Sequence, residues 1–68
     1  MTNNGLGNRI KDLREKRQLT QGDLADLIGV SRKTINTIEN RVFVPSTLLA
    51  LKLAKALNVR VEDVFFLE

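Results

Sequence analysis

The chain has 68 residues, with 11 Lys and Arg against 8 Asp and Glu for a formal net charge of +3, and it contains neither cysteine nor histidine. A chain this short forms one domain at most and hides only about 60% of its unfolded surface. The missing residue types exclude disulfides and any cysteine or histidine metal site, so stability has to come from tight helix packing or from oligomerisation. No run approaches the roughly 18 apolar residues that cross a bilayer. The N-terminal MTNNGLG also lacks the basic start and apolar stretch of a signal peptide. The expectation is a soluble, cytoplasmic protein without a membrane partner.

Residues 1–5 read as a flexible polar tail and residues 6–68 as a single domain, with no repeat, linker or low-complexity run. Leu6, Ile10 and Leu13 recur at helical spacing among charged residues and predict a first amphipathic helix, closed by Gln18 and Leu19. Thr20 is a good N-cap for a second helix with Leu24, Ala25 and Ile28 on one face. Gly29 ends that helix because glycine enters the left-handed region cheaply. Ser31 then caps a third helix whose Ile35 and Ile38 face inward, and Asn40 marks its end. RVFVPS reads as a loop, since Pro45 cannot continue a helix. Ser46 caps a fourth helix over about Thr47–Leu57, and a short fifth turn lies near Val61–Val64. With no alternating strand pattern, the fold class is all-α.

A helix that stops at Gly29 and restarts at Ser31 needs a reason. Two helices joined by a tight glycine-containing turn form the helix-turn-helix geometry. The first braces the second across a phosphate backbone, and the second enters the major groove with its N-terminal residues against base edges. The charge distribution agrees. Residues 9–41 hold eight Lys and Arg against five Asp and Glu, whereas residues 42–68 hold three of each, so the whole positive excess lies around this segment.

The stretch TQGDLADLIGVSRKTINTIEN resembles the helix-turn-helix of the Cro/repressor-type (Xre-like) regulators, through Gln21, Leu24, Ala25, Ile28, Gly29, Val30, Ile35, Ile38, Glu39 and Asn40. The flanks NRIKDLREKRQLTQ and VPSTLLALKLAKALNVRVEDVF agree, so the resemblance covers about residues 8–65. It implies a compact five-helix lambda-repressor-like domain that binds double-stranded DNA. By that resemblance Arg32, Lys33, Asn36 and Thr37 project toward bases, arginine and lysine suiting guanine and asparagine suiting adenine. Gln21, Ser31, Thr34, Asn40 and Arg41 are the phosphate candidates, Gln21 also bracing a neighbouring side chain. Arg14 and Glu39 are implied to form an internal ion pair. Two positions depart from the family pattern: Gly22 in the first turn of the second helix, and Arg41 where glycine is common.

The fourth helix is apolar on more than one side. At about 100° per residue, Leu49, Ala50, Leu53, Ala54 and Leu57 share a core face, while Leu48 and Leu51 fall nearly opposite, beside Lys52 and Lys55. A helix apolar most of the way round usually buries a second surface. In the tail VFFLE, Val64 and Phe65 finish the core and Phe66 and Leu67 are left over. The expectation is a two-fold homodimer in which Leu48, Leu51, Phe66 and Leu67 meet their symmetry mates. The alternatives are a tail folded back on its own chain or pairing as an intermolecular strand. The function expected is a sequence-specific regulator, a repressor acting as a homodimer on an inverted repeat, with no cofactor, metal or small-molecule ligand. The alternatives are a protein-interaction module that kept the fold but lost DNA reading, and an antitoxin or restriction-modification control protein. No catalytic constellation is evident, so no enzymatic activity is expected.

Overall fold

The computed structural model describes residues 5–68. In chain order the elements are β1 (Leu6–Asn8), α1 (Ile10–Lys16), α2 (Gln21–Ile28), α3 (Arg32–Glu39), α4 (Thr47–Ala56), α5 (Val61–Val64) and β2 (Phe65–Leu67). The helices start where the caps place them. Thr20 forms a capping box, accepting from the Asp23 N–H at 3.0 Å while Asp23 accepts from the Thr20 N–H at 2.9 Å. Ser31 accepts from the Thr34 N–H at 3.2 Å and Ser46 from the Leu49 N–H at 3.1 Å.

Four of the five helices, α1 to α4, are followed by a left-handed residue. Gly29 has φ 76°, and the non-glycine residues Gln18, Arg41 and Asn58 follow α1, α3 and α4 with φ 59°, 64° and 58°. Arg41 thus adopts the backbone that glycine usually supplies after such a helix, a conformation costing an L-residue about 1–2 kcal/mol.

The core takes residues from every helix: Ile10 of α1, Leu24, Ala25 and Ile28 of α2, Ile35 and Ile38 of α3, Leu53 and Ala54 of α4, then Leu57 and Val64, all nearly fully buried. Each large side chain withdrawn from water contributes about 1.5–3 kcal/mol before entropy is counted. Leu13, Val30, Leu49 and Phe65 pack around this centre. The buried faces of α2 and α3 therefore hold the two elements of the helix-turn-helix against one another.

Two expectations change at the chain ends. Leu6 does not belong to the first helix, because it lies in β1. The Asn8 carboxamide oxygen accepts from the Ile10 N–H at 3.2 Å, and the Arg9 N–H goes to the Val64 carbonyl at 2.8 Å. The helix can begin only after these bonds. The tail is not simply left over either, since β2 pairs antiparallel with β1 in the same chain, with Leu6 opposite Leu67, Gly7 opposite Phe66 and Asn8 opposite Phe65. A Cβ on Gly7 would sit 2.3 Å from Phe66 Cε1, so the ring lies across the bare glycine backbone. The Arg9 guanidinium covers that ring at 4.4 Å from its centroid. The fold is thus helical apart from one short sheet that ties the ends together. Of the residues assigned to a flexible tail, 1–4 lie outside the described residues, and the Gly5 carbonyl accepts from the Glu68 N–H at 3.0 Å.

Candidate nucleic-acid interface

α3 is the element that carries the site, and its sequence splits into two faces. Ile35 and Ile38 are buried, whereas Arg32, Lys33, Asn36 and Asn40 are exposed and Thr34 and Thr37 are half-buried. Its first turn contains no acidic residue. Two cations at a helix N-terminus oppose the macrodipole. The ion pairs found among the described residues, Arg14–Glu39, Arg41–Glu68 and Arg60–Asp63, leave Arg32 and Lys33 without a carboxylate partner.

A chain of side-chain hydrogen bonds fixes the orientation of α3. Arg14 of α1, 8% exposed as a whole residue, donates from Nε to Glu39 at 2.8 Å and from a terminal nitrogen to the Leu19 carbonyl at 2.8 Å. Glu39 also accepts from the Gln21 amide of α2 at 3.0 Å. The Gln21 oxygen in turn takes a long bond from Asn36 at 3.5 Å, and Asn36 Oδ1 accepts from Asn40 at 3.2 Å. The strongest of these contacts is the one from Arg14 Nε to the Glu39 carboxylate. That hydrogen bond, with the opposite charge behind it, pushes the Arg14 guanidinium above its already high ordinary value against the opposing effect of burial. Arg14 and Glu39 thus lie 2.8 Å apart, and Gln21 bonds both Glu39 and Asn36.

The other expected residues divide by how much bonding capacity is left. Asn36 has used one hydrogen and one lone pair, which leaves a donor and an acceptor, the set adenine requires. The Thr37 hydroxyl donates to the Thr34 carbonyl at 3.0 Å. The Ser31 and Thr34 hydroxyls share a 2.9 Å bond. Asn40 Nδ2 is also held by the Asn36 carbonyl at 2.9 Å, and Arg41 is paired with Glu68. Arg41 is therefore the phosphate candidate whose cation is already balanced.

Sequence reasoning missed Asn8. Its carboxamide donates to the Ile38 carbonyl at 2.9 Å and so ties β1 to the end of α3. The signal is faint, a single asparagine ahead of a helical pattern, and it becomes legible only with the strand pairing.

Of the dimer candidates, Leu48 and Leu51 are 64% and 53% exposed on α4 and Leu67 is 88% exposed on β2. Phe66 is half-buried against Gly7 and Arg9 of its own chain. Among the described residues no helix is long and apolar enough to cross a membrane, and no acidic cluster could hold a metal ion.

The helix-turn-helix model HTH_3 matches residues 10–64. An uncharacterized HTH-type transcriptional regulator of Bacillus subtilis is 46% identical over 63 residues, which cover 93% of this chain and 96% of that one. Another from Methanocaldococcus jannaschii is 48% identical with the same coverage. Among solved structures, a putative DNA-binding protein from Bacteroides fragilis superposes with a TM-score of 0.81 at 31% identity, over 90% of this chain and 98% of that chain. The restriction-modification controller protein C.AhdI of Aeromonas hydrophila gives 0.76 at 31% identity, over 79% and 82%. With the family model spanning the helix-turn-helix and the core around it, this chain belongs to the HTH_3 (Xre-like) family of DNA-binding transcriptional regulators.

Proposed function

We propose that the protein reads a specific double-stranded DNA sequence as a two-fold homodimer on an inverted repeat and represses transcription there. The observation that carries this reading is the pair of cations Arg32 and Lys33, without a carboxylate partner among the described residues, at the exposed start of an α3 braced by the Arg14–Glu39–Gln21 chain. In this reading Arg32, Lys33, Asn36 and Thr37 meet base edges. Gln21, Ser31, Thr34 and Asn40 set register on phosphates, and Arg41 joins them only where a phosphate displaces Glu68. The exposed Leu48, Leu51 and Leu67 support self-association, with Phe66 contributing its outer edge. A two-fold pair places two copies of α3 about one DNA turn apart.

A footprint on the DNA upstream of the protein's own gene, paired with a reporter from that promoter, tests the reading. Two adjacent protected half-sites and falling reporter output are expected. A rising output overturns repression, and uniform protection overturns sequence reading. Sedimentation at micromolar concentration tests the dimer: a monomer that Leu51→Asp leaves unchanged refutes it. A second reading, control of a restriction-modification locus, is favoured by the likeness to C.AhdI. It keeps the same DNA chemistry and changes only the genes beside the operator.

A further inference from the structure

The loop after α3 carries three consecutive exposed apolar residues: Val42, Phe43 and Val44 are 63%, 47% and 49% exposed. Solvent-facing loops are ordinarily polar, so an apolar run beside the recognition helix calls for a partner surface. The loop is not adrift, because the Val42 and Phe43 N–H groups both donate to the Thr37 carbonyl, at 2.9 and 3.2 Å. Val42 and Phe43 are thereby fixed as an extension of the α3 reading face. Together with Ser31, Lys33, Thr34 and Thr37 they line an open cleft of about 330 Å³.

The chemistry of that cleft is more apolar than its composition suggests. The Thr37 hydroxyl hydrogen goes to the Thr34 carbonyl, and the Ser31 and Thr34 hydroxyls share one bond that leaves the pair a single free donor. The two loop amides are spent on Thr37, so neither can cradle a phosphate. The cleft therefore offers threonine methyls, Val42 and the Phe43 ring, with the Lys33 ammonium at its edge. In the major groove the apolar group on a base edge is the C5-methyl of thymine, which aliphatic and phenyl side chains contact.

We propose that Val42 and Phe43 are specificity-determining residues whose cleft receives a thymine C5-methyl, giving each half-site one position that prefers thymine. The inference rests on the DNA reading above and on the continuity of the cleft with α3. An apolar contact displaces no counterion, so its contribution does not vary with salt, unlike that of a lysine on a phosphate.

The test uses the full chain and a duplex selected by it, with each thymine replaced in turn by deoxyuridine, which lacks only the methyl. At one position per half-site the wild-type protein should bind the uracil duplex about fourfold more weakly, the effect of one methyl withdrawn from water. Phe43→Ser should lose roughly tenfold on the thymine duplex, keep the salt slope and no longer distinguish thymine from uracil at that position. Val42→Ser, at a more exposed site, should blunt the same discrimination and guards against a folding defect in the first variant. If both variants bind like wild type, or lose affinity equally on every thymine and uracil duplex, the thymine contact is wrong while the DNA reading stands. A contact to deoxyribose or to a partner protein would give that second pattern. If the wild-type chain enriches no duplex at all, the DNA reading itself fails and takes this inference with it.

Discussion

Replacing Glu39 with glutamine removes the charge paired with Arg14 and keeps the shape. The two side chains are only 10% and 6% exposed, so water cannot take over the missing interaction. Arg14 Nε and the Gln21 amide reach different Glu39 oxygens, at 2.8 and 3.0 Å, so the oxygen of glutamine can serve one of them while its NH2 group faces the other donor. Charge-assisted bonds of this kind contribute about 1.5–3 kcal/mol each, and leaving one member of a buried pair uncompensated costs about 3–5 kcal/mol. A chain of 68 residues has total stability of roughly 3–10 kcal/mol. The expected loss of about 3 kcal/mol therefore removes a third or more of it.

Urea unfolding followed by far-ultraviolet circular dichroism reads the loss, and burial should make it persist at high salt. Arg14→Met combined with Glu39→Leu should recover most of the stability, because apolar replacement of a buried pair is often neutral. Single-variant losses that add to within about 0.5 kcal/mol in the double variant would show no coupling and refute the account of how α1, α2 and α3 are locked together.

Glycine substitutions should separate conformation from space. Gly29 has room for a Cβ but φ 76°, so Gly29→Ala should cost about 1–2 kcal/mol by thermal unfolding. Gly22 has an ordinary backbone and its nearest atom would be 3.7 Å from a Cβ, so Gly22→Ala should stabilise by about 0.4–1 kcal/mol. Asp23 is held below its ordinary carboxylate value of 3.8, chiefly by the Thr20 backbone N–H and then by the Thr20 side chain. With the folded value depressed, its stabilising effect is complete above the unfolded value and lost as pH falls from there through the folded one. Acid titration of unfolding should show Asp23→Asn to be less pH-dependent in that window. Arg32→Ala should cost about 1–3 kcal/mol in binding a selected duplex and relax preference at one base position in a competition assay.

The helical part of this fold is legible because its signals are local. Thr20, Ser31 and Ser46 announce caps, Gly29 a turn, and Ile35 and Ile38 a buried stripe, each within a few residues of the element it specifies. Arg14 and Glu39 could be paired from sequence only through the family resemblance, since 25 positions separate them. The β1–β2 sheet was illegible for a physical reason. Each strand is three residues long, too short for an alternating pattern, and the pairing joins the two ends of the chain. What fixes its place is a steric fact visible only in space, the Phe66 ring over Gly7. The character of the reading face was also hidden in part. Hydroxyls that look polar in sequence are partly taken up by local hydrogen bonds, which leaves the cleft beside α3 more apolar than its composition.

Selection of bound duplexes from a randomised DNA pool, at near-physiological salt, decides whether the protein reads sequence as a two-fold pair. The expected product is an inverted repeat with half-site centres about 10 bp apart. A pool that stays random, with weak binding that vanishes as salt rises, would contradict it by showing phosphate attraction alone.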